Sequence, residues 1–313
     1  MKKKSITIFA SVLIMMTACT TKEKTALTSG INKSFLDESV KPSDDFYQYA
    51  CGGWMKLHPL SGEYARYGSF DKLGEDNQKQ LNDLMSGIAA KKHDKGSISQ
   101  KIGDLYTLGM DSLSLEKQGV TPLLNDVRAI AAMKEKKELT LMLAKVYLQG
   151  TGCFFSVFSE ANPANSNMNI AWLWQSGLGI GDRDFYLEDK SQAIRDQYVV
   201  LLTKLLKLST YNQVAKLEGK EEATAKAVLA LETEMAKIFM DKNDLRDPFK
   251  TYHYIAIDDL QQLLPVMDVK LYLQTIGLTD LDSINVGQPE YIKGLNKLLL
   301  ATDINTIKAY LAL

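Results

Sequence analysis

Pro42-Ser43-Asp44-Asp45-Phe46-Tyr47-Gln48-Tyr49-Ala50-Cys51-Gly52-Gly53-Trp54 is the most informative run in the chain, and Arg66-Tyr67-Gly68-Ser69-Phe70 follows it at short range. Ser43 suits the cap position of a helix, and Asp44 and Asp45 suit its positive N-terminal end. Phe46, Tyr49 and Ala50 then share one face at spacings of three and four. Gly52-Gly53 reads as the stop, because glycine accepts the left-handed conformation common at helix C-termini. Trp54 follows as a large apolar anchor, His58-Pro59 as a turn, and Arg66-Tyr67-Gly68 as the lead into the next helix.

Downstream, helical periodicity dominates. Phe70, Leu73, Leu81, Leu84 and Ile88 predict one long amphipathic helix from Ser69 to Ile88, and Ile102, Leu105 and Leu108 or Gly109 a second from Ile98 to Leu113. A charged loop around His93 joins them. Thr121-Pro122 places a cap and a proline at a helix start that runs to Met133, and Glu138 to Leu148 is the next helix. The period then changes. Residues 153–158 (Cys-Phe-Phe-Ser-Val-Phe) and 168–174 (Met-Asn-Ile-Ala-Trp-Leu-Trp) read as strands rich in aromatic and branched side chains, with a loop at Asn162-Pro163-Ala164-Asn165 between them, so a small hairpin is predicted. Helices resume over Lys190–Leu208 and Glu221–Met240, the latter with Val228, Leu231, Met235 and Ile238 facing inward. Asp303 caps a last helix with Ile304, Ile307 and Leu311 on one face, and there the chain reads as interrupted. The fold class is mainly α: a large helical domain with a small β-hairpin, incomplete at its C-terminal end.

The N-terminus is an address. Lys2-Lys3-Lys4 precedes an apolar core, Ile6 to Met16, that is too short to span a bilayer, and small residues Thr17-Ala18 precede Cys19. A cysteine in that position resembles a bacterial lipobox, so residues 1–18 are expected to be a lipoprotein signal peptide, with Cys19 lipidated as the mature N-terminus and the protein exported to the cell envelope. Residues 19–40 are polar and aperiodic and read as a flexible tether; the domain proper is expected over 41–313. Hydrophobic content of 45% and charged content of 24% are those of an ordinary globular chain of 313 residues. Without the three N-terminal lysines, 34 basic side chains remain of the original 37, against 38 acids, a net charge of −4. No basic excess is left to hold nucleic acid. Cys51 and Cys153 could pair in an oxidising compartment; their apolar surroundings favour two buried, unpaired thiols.

Chemistry is not visible in the residues themselves. The three histidines, His58, His93 and His253, are far apart in sequence and none is followed by Glu. A catalytic zinc of the His-Glu-x-x-His type needs two histidines four apart on one helix with a glutamate between them, and that motif is absent. Gly177-Leu178-Gly179-Ile180-Gly181 lacks the Lys-Ser/Thr ending of a phosphate loop and the spacing of a dinucleotide fingerprint. His58 reads as a surface turn residue, His93 as solvated and His253 as half-buried, while Asp182, Arg183 and Asp184 read as structural hydrogen bonders.

The run D-D-F-Y-x-Y-A-C-G-G-W followed by R-Y-G-x-F resembles the opening of the neprilysin and endothelin-converting-enzyme family of zinc endopeptidases. Further landmarks agree. Gly177 to Leu187 is similar to the family's G-L-x-L-P-D-R-x-Y-Y-L, with Gly181 in place of proline. Leu231-Glu232-Thr233-Glu234-Met235-Ala236 is similar to L-E-x-x-L-A, with Met235 in place of leucine. Arg246-Asp247, Tyr252 and a short helix from Asp258 to Pro265 follow in order. The resemblance runs from Pro42 to about Leu311. It implies a two-lobed enzyme around a closed chamber. This chain would supply the noncatalytic helical lobe, which limits substrates to short peptides, and zinc would reside only in the missing catalytic half. It further implies that Arg66 binds substrate, pairing with a peptide's C-terminal carboxylate, a task suited to the guanidinium fork. No residue of this chain is expected to be catalytic or to bind metal, and the chain alone is expected to be inactive. The alternative is a complete helical lipoprotein that binds peptides or a partner protein.

Overall fold

The computed structural model describes residues 30–313; Cys19 and the expected signal peptide lie outside them. Fifteen α-helices and four short strands make the described chain mainly α. It divides into two compact units, residues up to Asp111 and Ser112–Leu313.

In the first unit, α1 (Phe46–Leu57) is capped by Asp45, whose side chain accepts from the Gln48 N–H at 2.9 Å. The cap is thus two residues later than Ser43. Gly52 and Gly53 do not end the helix; they lie inside it. Their role is close approach. A 3-10 turn, Lys33–Phe35, crosses the helix there, so a Cβ at Gly52 would sit 2.7 Å from Asp37 Cβ and one at Gly53 2.8 Å from the Leu36 carbonyl oxygen. The stretch read as tether therefore joins the fold over residues 32–40. Asp37 is buried, accepts from Gln48 Nε2 at 3.0 Å and pairs with Lys56 at 2.8 Å, and its backbone N–H donates to the Tyr49 carbonyl. These donors, Lys56 foremost, hold its carboxyl well below the usual range.

α2 (Ser69–Ala89) and α3 (Ile98–Met110) form an antiparallel pair, tied by Tyr106 Oη donating to Asn82 Oδ1 at 2.8 Å and packed closely where Gly103 meets Ala89. Both helices stand where the apolar spacing places them, although the second stops at Met110, three residues short. Their apolar rows are not covered: Phe70 is 87% exposed and Leu105 72%, and Leu73, Leu84 and Leu108 are exposed as well. Among the described residues of this unit no apolar side chain is buried.

The second unit holds the core. In order it comprises α4 (Ser112–Gln118), α5 (Leu124–Ala132), α6 (Leu139–Leu148), β1 (Phe155–Asn162), β2 (Asn165–Gln175), α7 (Asp184–Leu187), α8 (Gln192–Leu208), α9 (Thr210–Ala215), α10 (Glu221–Ile238), α11 (Pro248–Thr251), β3 (Tyr254–Ala256), α12 (Ile257–Leu263), α13 (Val269–Thr275), β4 (Ser283–Val286), α14 (Pro289–Ala301) and α15 (Ile304–Ala312). The central helix is α10. Glu221 and Glu222 suit its first turn and Lys237 its last. Val228, Leu231 and Met235 are buried as the spacing requires, against α8, α14 and α15. Asp303 caps α15 and accepts from the Asn305 N–H at 2.8 Å.

The hairpin pairs Phe155 with Gln175 and turns at Pro163-Ala164, tighter than the loop read from the sequence. It is one half of a four-stranded sheet in the order β1-β2-β4-β3. β2 runs parallel to β4, with Trp172 opposite Asn285, and β3 is antiparallel to β4.

Candidate functional site

Arg66 lies in the loop between α1 and α2, exposed, with no hydrogen bond or ion pair to any described residue. The loop around it is held firmly. Tyr64 and Tyr67 both point their hydroxyls at Glu75 on α2: Tyr64 Oη donates to Oε1 at 2.9 Å and Tyr67 Oη to Oε2 at 2.6 Å. The two rings meet edge to face at 5.1 Å, Tyr67 stacks on Trp54 at 5.9 Å, and Trp54 stacks on His58 at 4.4 Å. The bonds from the phenols lower the Glu75 carboxyl from its ordinary range and push Tyr67 up to about 12. Asp71 closes the start of α2 by accepting from the Gly68 N–H at 2.8 Å.

The histidines are structural. His58 is no surface turn residue: it is half-buried, ends α1 and donates from Nδ1 to the Trp54 carbonyl at 3.0 Å. His93 is half-buried too, donating from Nε2 to the Ile88 carbonyl at 2.9 Å. His253 places Nδ1 3.2 Å from the Val286 carbonyl, and its backbone N–H donates to Asn285 Oδ1 at 2.6 Å. The three rings lie apart, and among the described residues no group of three His, Cys, Asp or Glu is placed to hold a metal. The described residues do not make up a zinc site. Cys51 and Cys153 are free and half-buried, and burial pushes the Cys153 thiol up to about 11.

Two acids are buried in the second unit, Glu221 and Glu232, and the second lies deeper. Glu232 on α10 is 3% exposed and accepts from Tyr198 Oη at 2.9 Å, Tyr186 Oη at 2.5 Å and the Gly179 N–H at 3.4 Å. It thereby fastens the 177–187 segment and α8 to α10. Burial raises its pKa against the opposing effect of those donors. It borders a cleft of 460 Å³ also lined by Cys153 and Tyr310, with both carboxylate oxygens engaged by the tyrosines.

The model of peptidase family M13, N-terminal region, matches residues 42–313. The chain belongs to that family. Endothelin-converting enzyme 1 of Mus musculus is 28% identical over 309 residues, covering 94% of this chain and 38% of the mouse protein. Neprilysin-11 of Caenorhabditis elegans is 25% identical over 297 residues, covering 88% and 34%. The chain thus spans about two-fifths of the length of such relatives. Among solved structures, zinc metalloprotease Zmp1 of Mycobacterium tuberculosis, in complex with an inhibitor, superposes with a TM-score of 0.82 at 24% identity over 91% of this chain and 43% of that one. PepO of Lactobacillus rhamnosis follows with 0.69 at 15% identity over 87% and 42%. These two likenesses speak for the fold.

The M13 landmarks fall on structural joints of the chain. Arg183, in the G-L-x-L-P-D-R segment, donates to the Phe239 carbonyl at 2.6 Å, and Asp184 pairs with Lys242 at 2.5 Å, the structural bonding expected of them. Gly181 has φ of +90°, which the proline ring forbids, so a proline could stand here only with a different backbone. Sequence reading missed Glu75 and Glu232. Glu232 did carry a signal, an acid at i+4 from Val228 on the apolar face of its helix. Glu75 carried none, because its partners lie eight and eleven residues away in a loop.

Proposed function

We propose that this chain is the N-terminal part of a neprilysin-like zinc endopeptidase, a helical lobe that closes a chamber over the active site and admits only short peptides. The observation that carries the reading is the exposed apolar surface of α2 and α3, in a unit whose described residues bury no apolar side chain. Apolar faces of this extent mark interaction surfaces, and the larger share of the relatives' length, which this chain does not span, is the natural source of the cover. Metal, general base and hydrolysis belong to that share. Selection by a lid is steric, and rigid packed helices supply it. The Lys2-to-Cys19 segment supports export and lipid anchoring at a bacterial cell envelope; intact mass of membrane-extracted protein tests this, and an unmodified Cys19 rejects it.

Within this reading Arg66 receives the C-terminal carboxylate of a bound peptide. Its freedom from any partner among the described residues supports that role over a structural ion pair. In the complete enzyme, Arg66→Ala is expected to lower kcat/KM for a peptide with a free C-terminus by ~10- to 100-fold, with the amidated peptide little affected. Equal losses for the two peptides reject the role.

The exposed faces give a second test, on the chain by itself. Freed of lipid, it is expected to self-associate and to bind a hydrophobic dye, and Leu105→Lys with Leu108→Lys to restore a monomer in light scattering. A monodisperse, dye-free monomer from the unaltered chain favours the complete binding module instead.

A further inference from the structure

We propose that Glu75 is the positioning residue for Arg66, holding rigid the loop that presents the guanidinium to a peptide carboxylate; this rests on the reading of Arg66 above. Arginine carries several rotatable bonds, and a loop that also moved would add its own ordering cost on every binding event. The geometry removes that second cost. Tyr64 stands two residues before Arg66 and Tyr67 one after, and both hydroxyls end on the same carboxylate, at 2.9 and 2.6 Å. That carboxylate projects from α2, the 21-residue helix on which the loop ends. A third tie, Gly68 N–H to Asp71, closes the last link between Arg66 and the helix. Behind Tyr67 the ring stack runs through Trp54 to His58, so the loop is clamped from α1 as well as from α2.

The division of labour is chemically consistent. Glu75 spends both oxygens on the tyrosines, and no ion pair joins it to Arg66. The guanidinium keeps its full charge and all five donors for a ligand. An acid paired directly with Arg66 would compete with a peptide carboxylate; an acid that grips the flanking tyrosines fixes the loop without competing.

The test uses the complete enzyme and the ratio of kcat/KM for a peptide with a free C-terminus to that for its amide. Arg66→Ala is expected to abolish the preference. Glu75→Gln, which can accept from only one tyrosine at a time without re-pairing the other, is expected to cut the preference by ~tenfold, chiefly by raising KM for the free acid. A double variant, Tyr64→Phe with Tyr67→Phe, keeps the rings and their stack and is expected to act the same way, which covers failure of Glu75→Gln to fold. If Arg66→Ala abolishes the preference while the clamp variants leave it intact, or weaken both peptides equally, Glu75 is not a positioning residue and the Arg66 reading survives. If Arg66→Ala leaves the preference unchanged, both roles are rejected.

Discussion

Glu232→Ala is expected to lower the unfolding free energy of the Ser112–Leu313 unit by about 3 kcal/mol. The substitution strips the acceptor from Tyr186 and Tyr198 and from the Gly179 N–H in one step. Tyr198 is buried, and a donor left unpaired there costs its full desolvation. Glu232→Gln should cost much less, because the amide oxygen still accepts and the charge is gone. The two variants also separate in pH. Burial raises the Glu232 pKa in the fold above its unfolded value. The stability contributed by the protonated acid is therefore fully present below the unfolded pKa and is lost as pH rises through the higher folded value. Wild type should lose stability relative to Glu232→Gln over that window and level off above it. Urea titrations of both proteins at a series of pH values read the effect; a pH-independent difference contradicts it.

Gly53→Ala carries the second large effect, and its sign opposes intrinsic propensity. In an open helix the change adds roughly 1 kcal/mol of stability. Inside α1 the new methyl group meets backbone: the Phe35 carbonyl carbon and the Leu36 carbonyl oxygen both lie 2.8 Å from its position. Backbone cannot swing aside as a side chain can, so the 33–36 segment must lift from the helix. A loss of ~1–3 kcal/mol is expected, with faster hydrogen exchange at the Asp37 N–H, which donates to the Tyr49 carbonyl at 2.7 Å. Unchanged exchange together with a higher melting temperature would show the crossing to be loose.

Gly53 and its neighbour Gly52 show where a local pattern stops informing. Their place in a landmark motif was legible, their conformation was not. A helix stop and a close backbone crossing both call for glycine, and only the partner segment tells them apart. Periodicity located α2, α3, α8 and α10 because an apolar stripe is a local property. It could not show that the stripes of α2 and α3 lie open, since burial depends on what else is present. The strands β3 and β4, three and four residues long, are too short for any period to declare itself, and the parallel pairing of β4 with β2 has no local signature. Arg66 is singled out by its motif, whereas Glu75 becomes visible only once a loop has folded back on a helix.

The parallel ladder between β2 and β4 has a consequence for synthesis. Gln175 and Gln288, bonded across this junction at 2.8 Å, are 113 residues apart. At ribosomal speeds of about 5–20 residues per second, the finished hairpin waits roughly 5 to 20 seconds for its central neighbour to emerge. During that interval β2 offers a bare row of amide and carbonyl groups beside Trp172 and Trp174, a surface that invites pairing with another nascent chain. Shielding of that one strand edge, between the emergence of the hairpin and the arrival of Ser283–Val286, is therefore expected to raise the yield of folded protein.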